Sequence, residues 1–161
     1  MVKAARTRLV FHGSVIMLIA LACGLPSVVE VSSGTIRMWQ AAHAALLLMA
    51  VWMLAQAAIL GLIVLKEMEM SVLVNALIST GYTLAFAAIV QALTGQRVLG
   101  PSPSLVGMAV FVANLVVVLG SVLTASLTLM GARNASVHGR GEPEQEVLGF
   151  VNDLYGSKGG S

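Results

Sequence analysis

Apolar residues run in four long blocks, each free of Asp, Glu, Lys and Arg, at about residues 9–29, 38–65, 70–94 and 104–130. A membrane span needs roughly 20 such residues at about 1.5 Å rise each. The pattern therefore predicts four transmembrane helices in one bundle over residues 1–132. Pro26 closes the first block, and Gly95, Gly100, Pro101 and Pro103 punctuate the third connection. Lys66-Glu67-Met68-Glu69 is so short a connection that spans two and three are expected to form a tight antiparallel hairpin. Beyond residue 130 the pattern breaks. Residues 133–161 read as a tail, flexible to residue 141, with a short amphipathic helix over 143–155 carrying Val147, Leu148, Val151, Leu154 and Tyr155. The last six residues, Gly156 to Ser161, read as linker.

Charge sets the orientation. Lys3, Arg6 and Arg8 precede span one, Lys66 lies between spans two and three, and Arg133 and Arg140 follow span four. The other side carries only Arg37 and Arg97. The positive-inside rule then places both termini in the cytoplasm. The fold class expected is an all-α integral membrane four-helix bundle, in a bacterial inner membrane, with the lipid bilayer as its solvent.

Composition narrows the function. The chain of 161 residues is 58% hydrophobic and 10% charged, where soluble domains carry about 25% charged residues. A net charge of +2 without a basic, aromatic-rich cluster excludes nucleic acid. One cysteine, Cys23, cannot form an intrachain disulfide and reads as a small buried apolar residue. Ala20-Leu21-Ala22-Cys23 has a faint likeness to a lipoprotein cleavage box, but three further apolar runs follow and span one reads as a retained helix. No charge lies inside a span, which counts against proton-coupled antiport of the small four-helix kind and against a charge-lined channel. No nucleophile elbow, P-loop, zinc-binding or dinucleotide motif is present.

Neutral polar residues remain. Ser71, Asn75, Ser79, Tyr82 and Phe86 share one face of span three, and Gly107, Asn114, Ser121 and Thr128 recur every seven residues in span four. Such stripes pack membrane helices closely. The alternative is that Asn75, Tyr82 or Asn114 faces a cavity and hydrogen-bonds a ligand. His43, in Met38-Trp39-Gln40-Ala41-Ala42-His43, shares a face with Gln40, Trp39 and Leu47 near the outer interface. It is either an interhelical hydrogen-bonding histidine or a metal ligand. His12 opens span one on the cytoplasmic side, more than about 10 Å from His43 along the membrane normal, so the two cannot ligate one iron within a subunit. His138 lies in the tail.

Phe11-His12-Gly13, Trp39-x-x-Ala42-His43, Gly81-Tyr82 and Leu99-Gly100-Pro101, in that order across residues 9–132, resemble the styrene oxide isomerase family. The resemblance implies a homotrimer binding haem b between subunits, with His43 as axial iron ligand, Gln40 beside the cofactor, and Tyr82 orienting the substrate. It implies an isomerase in which ferric iron acts as a Lewis acid on a hydrophobic epoxide, whose 1,2-shift gives a carbonyl product without net redox change. The family carries asparagine six residues after that histidine. Here the position is Met49, and Asn75 or Asn114 is the candidate to supply an amide instead. Two other readings stand beside this one, a non-catalytic haem membrane protein and a cofactor-free accessory subunit. Close subunit contact is expected through Gly107, Asn114 and Ser121.

Overall fold

The computed structural model describes residues 2–27, 33–95, 98 and 100–138. Among the described residues it is all-helical: α1 (Val2–Gly24), a 3₁₀ turn (Leu25–Ser27), α2 (Ser33–Ile59), α3 (Glu67–Thr94) and α4 (Leu105–His138). All four α-helices are long and apolar enough to cross a membrane. The chain thus has the pattern of a multi-pass membrane protein. The proposed helix over 143–155 lies outside the described residues.

Helices α1, α2 and α3 form the core, and α4 packs mainly on α3. Each core helix buries one stripe at helical spacing: Leu9, Ile16 and Ala20 on α1; Leu46, Ala50, Met53 and Ala57 on α2; Leu73, Leu77 and Ala85 on α3. Gly81 admits Met53, whose sulfur would lie 3.2 Å from an added Cβ, so α2 and α3 meet closely at mid-depth. Only 17% of the most apolar window of α4 is buried, against 39% in α2 and in α3. Most of α4 therefore faces outward, with Leu115, Val118, Leu119 and Val122 exposed.

The helix ends differ from the sequence expectation in three places. Helix α1 starts at Val2, so Lys3, Arg6 and Arg8 ride on a helical extension of the first span. Helix α2 stops at Ile59 rather than near residue 65. Residues 60–66 then form an apolar connection, longer than the hairpin turn expected. Lys66 caps α3, its backbone N–H donating to Glu69 Oε2 at 2.9 Å. Helix α4 continues to His138, through residues 133–138 that composition assigned to a flexible tail.

Those last two differences share a cause. The 60–66 segment docks on the end of α4: Val64 N–H donates to the Gly131 carbonyl at 3.0 Å, and Asn134 Nδ2 donates to the Val64 carbonyl at 3.2 Å. Ile63 and Leu65 pack over Gly131. Backbone outside a helix is tolerated in a membrane protein only when its polar groups are satisfied internally, and this clasp satisfies both groups of Val64.

Candidate functional site

Two histidine environments lie at different depths. His43 projects from α2 toward the last turn of α1. Its Nδ1 is 2.7 Å from the Ala20 carbonyl oxygen, a pure acceptor, so Nδ1 carries the proton and donates. That fixes the tautomer and leaves the lone pair on Nε2. Gly24, one turn beyond Ala20, forms the wall behind the ring: a Cβ there would sit 3.0 Å from Nδ1 and 3.2 Å from Cε1. The imidazole is thus cradled by backbone, half-buried, with one nitrogen engaged. Gln40 precedes it by one turn and is exposed.

His12 sits on α1 with its Nδ1 2.9 Å from the Tyr82 hydroxyl. The ring meets Tyr82 edge-on at 5.7 Å and Phe11 edge-on at 5.2 Å. Four residues earlier on α1, Arg8 Nη2 donates to Asn75 Oδ1 at 3.0 Å, and Asn75 Nδ2 donates to Ser71 Oγ at 3.4 Å. The α3 stripe therefore forms one face, as its spacing predicts, but that face is exposed, and hydrogen bonds from Arg8 and His12 join it to α1. Sequence reasoning found the stripe and missed these partners. The matching signal is the pair Arg8 and His12 at i and i+4, opposite Asn75 and Tyr82.

Ala20 is eight positions after His12 on α1, about 12 Å along the axis. The structure accordingly holds the two histidines apart and leaves Tyr82 with His12 rather than with His43. Asn75 stands with Arg8. Asn114 is on α4, where its Nδ2 donates to the Val98 carbonyl at 3.1 Å and anchors the connection before α4. The three proposed catalytic residues are not brought together within one subunit.

The α4 stripe is used inside the chain. Gly107 packs beneath Ser102 and Ser104, and Thr128 donates to Gln56 Oε1 at 3.1 Å. Gln56, buried on α2, was missed by sequence reasoning because a single amide in an apolar run carries no spacing signal. Ser121 lines an apolar groove of about 430 Å³ where α2, α3 and α4 meet, with Met49 and Trp52 of α2, Leu84 of α3 and Val117 and Ala125 of α4. Met49 thus stands on a groove wall. Among the described residues no three His, Cys, Asp or Glu side chains gather as a metal site.

Four apolar helices, with the His43 imidazole cradled by the backbone of α1, define a membrane protein in which Nε2 of that ring is placed to serve as a nitrogen ligand. A family model for styrene oxide isomerase matches residues 5–133, which include all of α2 and α3 and both histidines discussed. The chain belongs to the styrene oxide isomerase family. Membership points to isomerase chemistry of that kind. No curated protein and no solved structure matches the chain.

Proposed function

We propose that the protein is a haem b-dependent membrane isomerase that opens a hydrophobic epoxide and rearranges it to a carbonyl compound. The observation that supports this most directly is the His43 imidazole, held by the Ala20 carbonyl and the Gly24 wall with Nε2 left as the donor atom. Ligating histidines characteristically donate their other ring N–H in this way, which fixes the tautomer and raises ligand basicity. A lone neutral imidazole does not build a zinc site, which needs three or four protein ligands. It does suit haem, which brings four nitrogens of its own. Residue and cofactor therefore fit.

When bound through one histidine, ferric haem supplies an open coordination position that polarises an epoxide oxygen. The chain's own part is binding, orientation and exclusion of water. His43 would hold the iron, and Ala20 and Gly24 set the plane of its ring. The charge-free helices keep water from a carbocation-like centre, which favours the 1,2-shift over diol formation. No protein nucleophile is required.

His43 is half-buried in its own subunit, so a second copy packed on that face would help to enclose a haem held there. This supports a homo-oligomer, with a trimer as the family's arrangement. Lys3, Arg6, Arg8, Lys66 and Arg133 at one end of the bundle support cytoplasmic termini in a bacterial inner membrane.

The test is an absorption spectrum of detergent-purified protein followed by product analysis with aryl and alkyl epoxides. A Soret band, together with carbonyl products formed only under oxidising conditions, is expected. A colourless protein, after expression with ample haem, would overturn the proposal. A second reading, a haem protein without isomerase activity, is favoured by one observation: Met49 replaces the family's amide on the groove wall. Full haem loading with no epoxide rearranged would select it.

A further inference from the structure

At the end of the bundle where α1 and α3 begin, a groove of about 210 Å³ runs between the two helices. Its floor is apolar, made by Ala4, Ala5, Met70 and Val74. Its polar groups are Arg8 from α1 and Glu67 and Ser71 from α3. We propose that this groove binds the headgroup of a phospholipid bearing a primary ammonium, as in phosphatidylethanolamine, with the phosphate on Arg8 and the ammonium on Glu67.

Charge and depth carry the argument. Arg8 and Glu67 line the same groove with opposite charges, yet among the described residues no ion pair joins them. Arg8 is instead held by a neutral group. Its Nη2 donates to Asn75 Oδ1, and Asn75 is braced by Ser71. That contact orients the guanidinium without neutralising it, and most of its five N–H donors remain for a phosphate. Glu67 is likewise uncommitted. Glu69, the other acid in the first turn of α3, accepts from Lys66 N–H and serves as the cap, while Glu67 makes no such bond.

A site with a separated cation and anion matches a zwitterion better than a simple anion. The ammonium of phosphatidylethanolamine donates three hydrogen bonds, as a lysine does, whereas a choline headgroup donates none. The depth agrees. Helix α3 spans 28 residues, roughly 42 Å, against about 30 Å of hydrocarbon, so its first turn lies among headgroups. The apolar floor then receives the glycerol end and upper acyl chain. This inference does not rest on the haem reading.

The experiment is native mass spectrometry of the full-length protein, titrated with phosphatidylethanolamine, phosphatidylcholine and phosphatidylglycerol of matched chains. Phosphatidylethanolamine is expected to bind about fivefold more tightly than the other two, the worth of one charge near a membrane surface. Glu67→Gln should erase the preference over phosphatidylcholine while leaving residual binding. Arg8→Gln should weaken all three lipids, and Arg8→Lys should recover part of the loss. Glu67 is exposed, so its variant tests the site even if Arg8→Gln does not fold. Equal binding of the three lipids, tighter binding of phosphatidylglycerol, or an unchanged preference in Glu67→Gln overturns the proposal.

Discussion

Gly24→Ala tests the histidine cradle with a single methyl group. The added Cβ would stand 3.0 Å from His43 Nδ1 and 3.2 Å from Cε1. Comfortable contact begins at about 3.5 Å, so the ring must retreat by roughly 0.5 Å. The Nδ1–H bond to Ala20 now measures 2.7 Å, and such a retreat takes it to the edge of the range, about 3.2 Å, in which N–H···O bonds hold. Overpacking of this kind costs about 1–3 kcal/mol. Disturbing the partner that orients a ligating histidine typically weakens metal affinity about 10-fold to 100-fold. We therefore expect Gly24→Ala to lose haem at least about tenfold faster than wild type, with Gly24→Val worse. The assay is haem transfer from purified protein to excess apomyoglobin, followed at the Soret band, with size-exclusion profiles confirming intact assembly. Stoichiometric haem and an unchanged transfer rate in Gly24→Ala would refute the reasoning, because the imidazole would not then depend on that wall.

Three further outcomes follow. His43→Ala should purify without haem and recover a Soret band with added imidazole, whereas His12→Ala should keep its haem; the reverse pattern would move the ligand to the Tyr82 end. Gly120→Ala should loosen α4 from α3 by about 1–3 kcal/mol in detergent unfolding, because its Cβ would collide with the buried Thr80 hydroxyl, which has no hydrogen-bond partner; Thr80→Ala in the same chain should restore most of that loss, and strictly additive effects would count against direct contact. Tyr82→Phe should leave haem content unchanged and, because its hydroxyl is engaged by His12 away from His43, should slow epoxide turnover by less than the roughly 10²-fold minimum typical of a general acid; a larger loss would show that the oligomer brings this tyrosine to the substrate.

The number of helices was legible because charges are absent from four runs and present between them. Their ends were not, and the reason is tertiary. Residues 60–65 are as apolar as any helix and the pattern reads them as part of one, but Val64 turns its N–H to the Gly131 carbonyl and its own carbonyl to Asn134. Residues 131–138 have the glycine, serine and arginine of a loop, yet stay helical where the 60–66 segment packs on them. His43 stood out as an isolated imidazole in an apolar run. What holds it did not, since a backbone carbonyl on another helix leaves no trace in sequence, and Gly24 looks like any helix-ending glycine. The seven-residue stripe on α4 was visible, but periodicity does not say which neighbour it meets. Gly107, Asn114 and Thr128 turn inward to their own chain.

The clasp between residues 63–65 and the end of α4 has a consequence for how the protein is made. Synthesis runs from the amino terminus, so α1, α2 and α3 can associate while α4 is still inside the ribosome. The α2–α3 connection meanwhile waits with the Val64 amide and carbonyl unpaired. Gly131 and Asn134 close it only after nearly the whole of α4 has been translated. The carboxyl end of the last helix thus acts as a late latch on a joint formed much earlier. A ribosome stalling before Gly131 would release a chain with four spans but an open joint, the kind of defect that membrane quality-control proteases find at exposed backbone.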